Sequence, residues 1–375
     1  MENYMKKYIW EHKNWYNFNY DSNALLESLA KVRRFQGNLL GKTASLGINL
    51  ENEAQAEILV EETIHTAGIE GMVLNRDTVR SSVAVRLGLP HGVGIRHDRN
   101  TDGLLDVLLD AIHFHDKPLT MERLHGWQAA LFPTGYSGLY KVRAGELRGD
   151  EAMRVISGPI GKTKIHYEAP PKKQMERELS LFLDWWSSSL GKMDGILRAA
   201  AAHLRFVTMH PYEDGNGRIA RALTDMALAQ DENSRMRMYS LSSQIIKTKE
   251  EYYTILEDVQ KCRLDVTQWF LWFLHSVAAA IENSQDSMAH VFAKAEFWKK
   301  HAQTSFTDRQ IKVIQKILDA GPDGFEGGLT TRKYVGMTKT SRVTAYREIT
   351  DLLEKGVLRH IAGKGRSVRY ELIKQ

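Results

Sequence analysis

Cysteine occurs once in this chain of 375 residues, at Cys262. A single thiol excludes an intramolecular disulfide framework and a cysteine-rich metal site, and it fits a reducing, cytoplasmic setting. Proline is also scarce, with eight in the chain. Long apolar runs are missing. The longest, Trp269 to Ile281, is broken by His275 and Ser276 and is too short to span a bilayer, so it reads as a buried helix. The opening MENYMKKYIW has neither an apolar core nor a small-residue cleavage site, so no secretory signal and no membrane partner are expected. Internal repeats and low-complexity runs are absent as well. With 43% hydrophobic and 26% charged residues, the expectation is an ordinary soluble protein of two or three domains.

The net charge of +5 is unevenly placed. Residues 301–375 hold 14 lysines and arginines against 8 acids, whereas the rest of the chain holds 37 against 38. The whole surplus lies in the last fifth of the chain, which suggests nucleic acid as a partner there.

Few prolines and many 3.6-residue periods predict a mainly α protein. Helices are expected over 23–47, 51–70, 119–131, 172–190, 193–209, 217–230, 249–261 and 265–283. Residues 137–170 differ: glycines and prolines punctuate two short β-prone runs, MRVIS and KIHYE, which predicts a small β-hairpin. Residues 285–306 read as a helical connection to a C-terminal unit.

One string stands apart. HPYEDGNGRIAR, His210 to Arg221, follows the apolar helix AAAHLRFVTM. Pro211 ends that helix and biases His210 away from helical angles. Gly215 and Gly217 allow successive N–H groups to point into one concavity, which opens onto the N-terminus of the next helix, where an anion is favoured. The loop is no Walker A sequence, since GxxxxGK[ST] is absent. Arg218 and Arg221 share a face of the first turn, where two guanidinium forks would grip phosphates. Asp214 can ligate Mg²⁺ together with phosphate oxygens, and Asn216 can donate to a phosphoryl oxygen. His210 is placed to act as general base. Glu213 has no assigned part and is expected to be solvated. Taken singly these residues are a cap, a solvated pair and a turn; their order in one short string points to a nucleotide site.

The C-terminal unit shows three helical segments, TDRQIKVIQKILDA, TTRKYVGM and KTSRVTAYREITDLLEKG, and then a hairpin around AGKG. That is the order of a winged helix-turn-helix. The third helix is expected to place Val343, Tyr346, Ile349 and Leu352 or Leu353 on one face and stop at Gly356. Arg342, Thr344 and Arg347 near its start, with Lys364 and Arg366 in the wing, are the candidate DNA contacts. Such units also bind proteins or dimerise.

HPYEDGNGRIAR resembles the core motif of the Fic family, HPFxDGNGRxxR, with Tyr212 in place of phenylalanine. The resemblance covers nearly the whole chain. It implies a Fic-type helical domain and a nucleotidyltransferase that moves AMP from ATP, with Mg²⁺, to a serine, threonine or tyrosine hydroxyl of a protein target, the chain itself included. It implies His210 as base, Asp214 as metal ligand, Gly215, Asn216 and Gly217 as anion cradle, and Arg218 and Arg221 on the β- and γ-phosphates. TAGIEG, Thr66 to Gly71, resembles the family's inhibitory motif, in which Glu70 pairs with Arg221 in the place of the γ-phosphate. Gly68 within it weakens the helix by about 1 kcal/mol. The hairpin is then the flap that receives the target as an added strand, with Val155 and Ile156 as contacts. Tyr253 and Gln260, seven apart and on one helix face, border the adenine. A homodimer is implied too. Expected boundaries are 1–100 for an N-terminal helical region with the inhibitory helix, 101–284 for the catalytic core, 285–306 for the connection and 307–375 for the winged helix. Two other functions stay open: removal of AMP at the same site with Glu70 orienting water, and a DNA-binding regulator whose Fic domain senses a nucleotide.

Overall fold

The computed structural model describes residues 7–44, 46–89, 98–157, 162–261, 264–319, 325, 327–361 and 368–373. The chain forms two compact units, Met1–Ser45 with Glu51–Asp286, and Leu46–Leu50 with Ser287–Gln375. The fold is mainly α, with small antiparallel hairpins.

The larger unit is built from α1 (Ser22–Thr43), α2 (Ile48–Ile69), α3 (Arg76–Arg86), α4 (Arg99–His113), α5 (Met121–Leu131), α6 (Met175–Ser189), α7 (Gly195–Met209), α8 (Asn216–Glu232), α9 (Leu241–Lys247), α10 (Lys249–Gln260) and α11 (Thr267–Ser287). Between α5 and α6 lie the hairpins β1 (Tyr136–Ser137) with β2 (Tyr140–Lys141) and β3 (Arg154–Ser157) with β4 (Lys164–Glu168). Starts are set by local polar caps. Asp21, Asp98, Thr120 and Asp194 each accept from the first-turn N–H groups of α1, α4, α5 and α7. Every residue of α7 after Gly195 is buried, so this helix is covered all round. Trp269 of α11 donates to the Ala200 carbonyl of α7 at 2.9 Å. α8 is buried from Arg218 to Ala229. The string His210–Arg221 is therefore the connection between two deeply buried helices, which holds its geometry.

In the smaller unit, α12 (Ala289–Lys300), α13 (Asp308–Asp319), α14 (Thr331–Thr338), α15 (Arg342–Glu354) and the hairpin β5 (Leu358–His360) with β6 (Tyr370–Leu372) follow in order. Phe297 of α12 is buried with Val313, Ile317, Tyr334, Ile349 and Leu372. The helix expected as a free connection over 285–306 thus packs into the C-terminal core. α15 also departs from expectation. Its buried residues are Ala345, Glu348, Ile349 and Leu352, while Val343 and Tyr346 are exposed at 81% and 63%. Glu348 belongs inside because Arg309 at 2.6 Å and the Tyr334 hydroxyl at 2.8 Å satisfy it. Thr344 is tied to the Ser341 cap, its N–H donating to the Ser341 hydroxyl at 3.1 Å with the two hydroxyls 3.0 Å apart. Arg342 and Arg347 are exposed. Lys364 and Arg366 lie outside the described residues. No helix among the described residues is long and apolar enough to cross a membrane.

Candidate active site

α7 ends at Met209, and His210 takes φ 51°, ψ 58°, the left-handed region that a non-glycine residue rarely occupies. Proline alone biases the preceding residue to extended angles; here three hydrogen bonds override that bias. The His210 N–H donates to Phe206 O at 3.0 Å, its carbonyl accepts from Arg148 Nε at 2.8 Å, and its Nδ1 bonds Val207 O at 3.1 Å. Arg148, itself buried, also donates to Pro170 O and, from its backbone, to Pro211 O. A carbonyl can only accept, so Nδ1 carries the proton and Nε2 presents a lone pair. Burial pushes the imidazole below its ordinary pKa, and Arg148 adds to this against the Val207 bond. The ring is neutral at neutral pH, the form a base requires.

The loop that follows is tied down residue by residue. Tyr212 is fully buried, its hydroxyl 3.0 Å from His125 Nδ1. Asn216 bonds the Tyr212 backbone twice, accepting from N at 3.0 Å and donating to O at 2.8 Å. Its amide therefore closes the turn, which leaves one Nδ2 hydrogen and the backbone N–H for other partners. Glu213 is not simply solvated either, because it accepts from Arg143 N at 3.0 Å and pairs with Arg143 Nε at 3.3 Å. Gly215 sits at φ 91° as the N-cap of α8, a conformation that suits glycine, and the first-turn N–H groups behind it have no helical partners. Arg218 is buried over the Phe132 ring at 4.8 Å, 3.4 Å from Asp214, and its Nε has no partner. Burial pushes this guanidinium below its ordinary pKa. A buried cation with an unpartnered donor beside a helix N-terminus suits an anion.

Arg221 is fully enclosed. Its Nε donates to Thr66 Oγ1 at 2.6 Å, and Nη2 donates to Thr66 O at 3.0 Å and to Glu70 Oε1 at 2.7 Å. The pair forms within one chain. Burial alone would pull Arg221 down; Glu70, then Tyr252, more than restore it. Glu70 stands one residue beyond α2, where the helix dipole disfavours a carboxylate, so Arg221 offsets its placement. Gly217 makes room for it: a Cβ there would overlap Glu70 Oε1 and lie 3.2 Å from Arg221 Nη1. Gly68 serves close packing, since a Cβ would come within 2.8 Å of Ile246 Cδ1.

On the hairpin, Ile156 is 57% exposed, whereas Val155 packs with Tyr8 and Tyr167, so of the two expected target contacts only Ile156 faces outward. Gln260 is buried and donates to Thr208 Oγ1 at 3.2 Å; Tyr253 is partly exposed, its hydroxyl 3.4 Å from Ile69 O. Arg148, Arg143 and Ser137 escaped the sequence reading, since they reach the loop across 62 to 77 residues. Ser137 donates to Asp214 Oδ2 at 2.6 Å, and Gly215 N donates to Oδ1 at 2.5 Å. Among the described residues no three histidine, cysteine or acidic side chains gather to hold a metal alone. One accessible carboxylate beside an anion cradle fits Mg²⁺ that arrives with phosphates, which needs one or two carboxylates from the protein.

Residues 118–228 match the Fic/DOC family, and residues 8–89 match a domain of unknown function, DUF4172. The Fic/DOC match lies within the larger unit and covers less than half of the chain. Among curated relatives it is 26% identical to protein adenylyltransferase fic-1 of Caenorhabditis briggsae over 193 residues, covering 51% of this chain and 35% of that one. It is 30% identical to uridine 5'-monophosphate transferase of Xanthomonas campestris pv. campestris over 118 residues, 30% of this chain and 21% of that one. The chain spans about a third or less of these relatives. In fold it is similar to a Fic family protein from Desulfovibrio desulfuricans, with a TM-score of 0.61 at 16% identity over 95% of this chain and 97% of that one.

Proposed function

We propose that this chain is a protein adenylyltransferase, moving AMP from ATP to a serine, threonine or tyrosine hydroxyl of a protein, and that Glu70 restrains it. The observation that carries the reading is the buried, unpartnered Nε of Arg218 at the N-terminus of α8, in the same loop as a neutral His210 whose Nε2 is free. In the reaction the acceptor hydroxyl gives its proton to His210 Nε2 while its oxygen bonds the α-phosphorus. The bond from that phosphorus to the bridging oxygen breaks, and pyrophosphate leaves. The α8 N-terminal amides and Arg218 stabilise charge on the phosphates. Asp214 would hold Mg²⁺, which supplies further charge neutralisation when bound. Arg221 is the natural γ-phosphate ligand, and Glu70 occupies it.

The test uses ATP labelled at the α- or γ-phosphate, and α-labelled UTP, on the parent, Glu70→Gly, His210→Ala and the double variant. Transfer from α-labelled ATP only, stronger in Glu70→Gly and lost without His210, is the expected result. Preference for UTP would change the donor. Loss of label from pre-modified protein that needs Glu70 would support AMP removal in its place.

A second reading concerns the smaller unit. The exposed start of α15 carries Arg342, Val343, Tyr346 and Arg347. Two cations for phosphates and two apolar side chains for base edges support duplex DNA as a partner. Fluorescence anisotropy with a duplex should give salt-sensitive binding that survives His210→Ala and is weakened by Arg342→Ala with Arg347→Ala. Salt-insensitive capture of a protein in its place would overturn the DNA reading.

A further inference from the structure

The β3–β4 hairpin carries an irregularity with no role so far. Val155 faces Tyr167 and Ile156 faces Ile165, so His166 has no opposite residue and forms a bulge. A bulge re-aims a side chain. His166 is turned onto α10, where its Nδ1 donates to Glu257 Oε2 at 2.6 Å, and its Nε2 lies 2.5 Å from Ser157 Oγ of β3. Glu257 is largely enclosed and also faces Lys164 of β4 at 4.0 Å and Lys261. The hairpin's other fixings lead elsewhere. Trp10 Nε1 donates to Glu168 O at 2.8 Å, and Tyr167 OH donates to Thr208 O at 2.6 Å, at the end of the helix that presents His210.

α10 is joined at three points on successive turns. Tyr253 meets the carbonyl of Ile69, next to Glu70. Glu257 meets the hairpin, and Gln260 meets Thr208. One rigid helix thus touches the end of the inhibitory helix, the hairpin and the end of α7. Resting on the reading of Tyr253 and Gln260 as the wall of the base pocket, we propose that the His166–Glu257 pair couples occupancy of the nucleotide site to the position of the β3–β4 hairpin. His166 and Glu257 are positioning residues: they touch neither nucleotide nor acceptor, and they settle the strand that receives the acceptor once α10 has closed on the base.

The experiment is hydrogen exchange by mass spectrometry on the full chain in the Glu70→Gly background, with and without ATP and Mg²⁺, for that chain and for added His166→Gln, Glu257→Gln or both. Without nucleotide, hairpin amides at 154–157 and 164–168 should exchange on the order of tenfold faster in each variant, and no faster in the double than in the singles. ATP should slow the hairpin in the chain with the pair intact. In the variants that slowing should vanish, while ATP still protects the first turn of α8. Persistence of ATP-dependent hairpin protection in the variants overturns the coupling and leaves the nucleotide site standing. Absence of protection at α8 in every chain overturns the nucleotide site and the coupling together.

Discussion

Two buried arginines in the larger unit are each paired with glutamate, and the settings of the two acids differ. Arg237 binds Glu232 at 2.5 Å, with side chains 4% and 1% exposed, and Asp225 lies 3.5 Å away. Glu232 also accepts from the Tyr239 hydroxyl at 2.6 Å and Gln36 Nε2 at 2.8 Å. Arg221 is equally buried, yet its Glu70 is 31% exposed, stands beyond a helix end and has one bond to the arginine. In the first cluster the acid is committed to three donors, although Nε and Nη2 of Arg237 have no hydrogen-bond partner. In the second, the acid is open to water, and on the proposed reading a phosphate takes its place. On the proposed reading, a staple and a switch are separated chiefly by the exposure of the acid, since both arginines are buried.

The sharpest test of that contrast is Glu232→Ala, which strands Arg237 in the interior and should cost about 3–5 kcal/mol in urea unfolding. A loss below about 1 kcal/mol would erase the distinction. Next in size is a pH effect beside Arg221. His203 is buried, 3.0 Å from Thr224 Oγ1 and 2.8 Å from Tyr252 OH, and burial, with Arg221 second, pulls its pKa down to about 3. A depressed folded pKa means that the unfolded chain binds the proton first. Stability from this group is complete above about pH 6.5 and should fall by about 1.4 kcal/mol per unit as pH drops toward 3. His203→Gln should flatten that slope; an unchanged slope would show that His203 does not titrate there. Smallest in stability is Glu70→Gly, expected within about 1 kcal/mol of the parent because water replaces the departing carboxylate. Its effect on transfer should nevertheless be a rise of about 5- to 150-fold. If Glu70→Gly unfolds the chain as readily as Glu232→Ala, Glu70 is a staple too.

Much of this was legible before any coordinates. The chemistry string has a fixed order in a short span, and the helices around it carry strong periods. α4 is absent from the expected helices although LLDVLLDAI is well patterned; Gly103 in its first turn argues locally against a helix, and packing overrides it. On α15 the apolar Val343 and Tyr346 fall three apart and mimic a core stripe, while the true inner face includes Glu348, whose partners Arg309 and Tyr334 no local pattern reveals. The fixings of the loop are invisible for the same reason. Arg148, Arg143 and Ser137 reach it from 62 to 77 residues away, and His166 meets Glu257 across 91.

Gly217 has a consequence for how this protein can change. The space that a side chain would fill at that position is the seat of the Glu70 carboxylate, and on the proposed reading it is also room reserved for a phosphate. Inhibitor and substrate are therefore tenants of one vacancy. A larger residue at 217 would evict both, so neither selection nor an engineer can relieve the brake from the loop without harming the engine. Adjustment has to come from α2, where Thr66, Gly68 and Glu70 can vary while the catalytic string stays as it is.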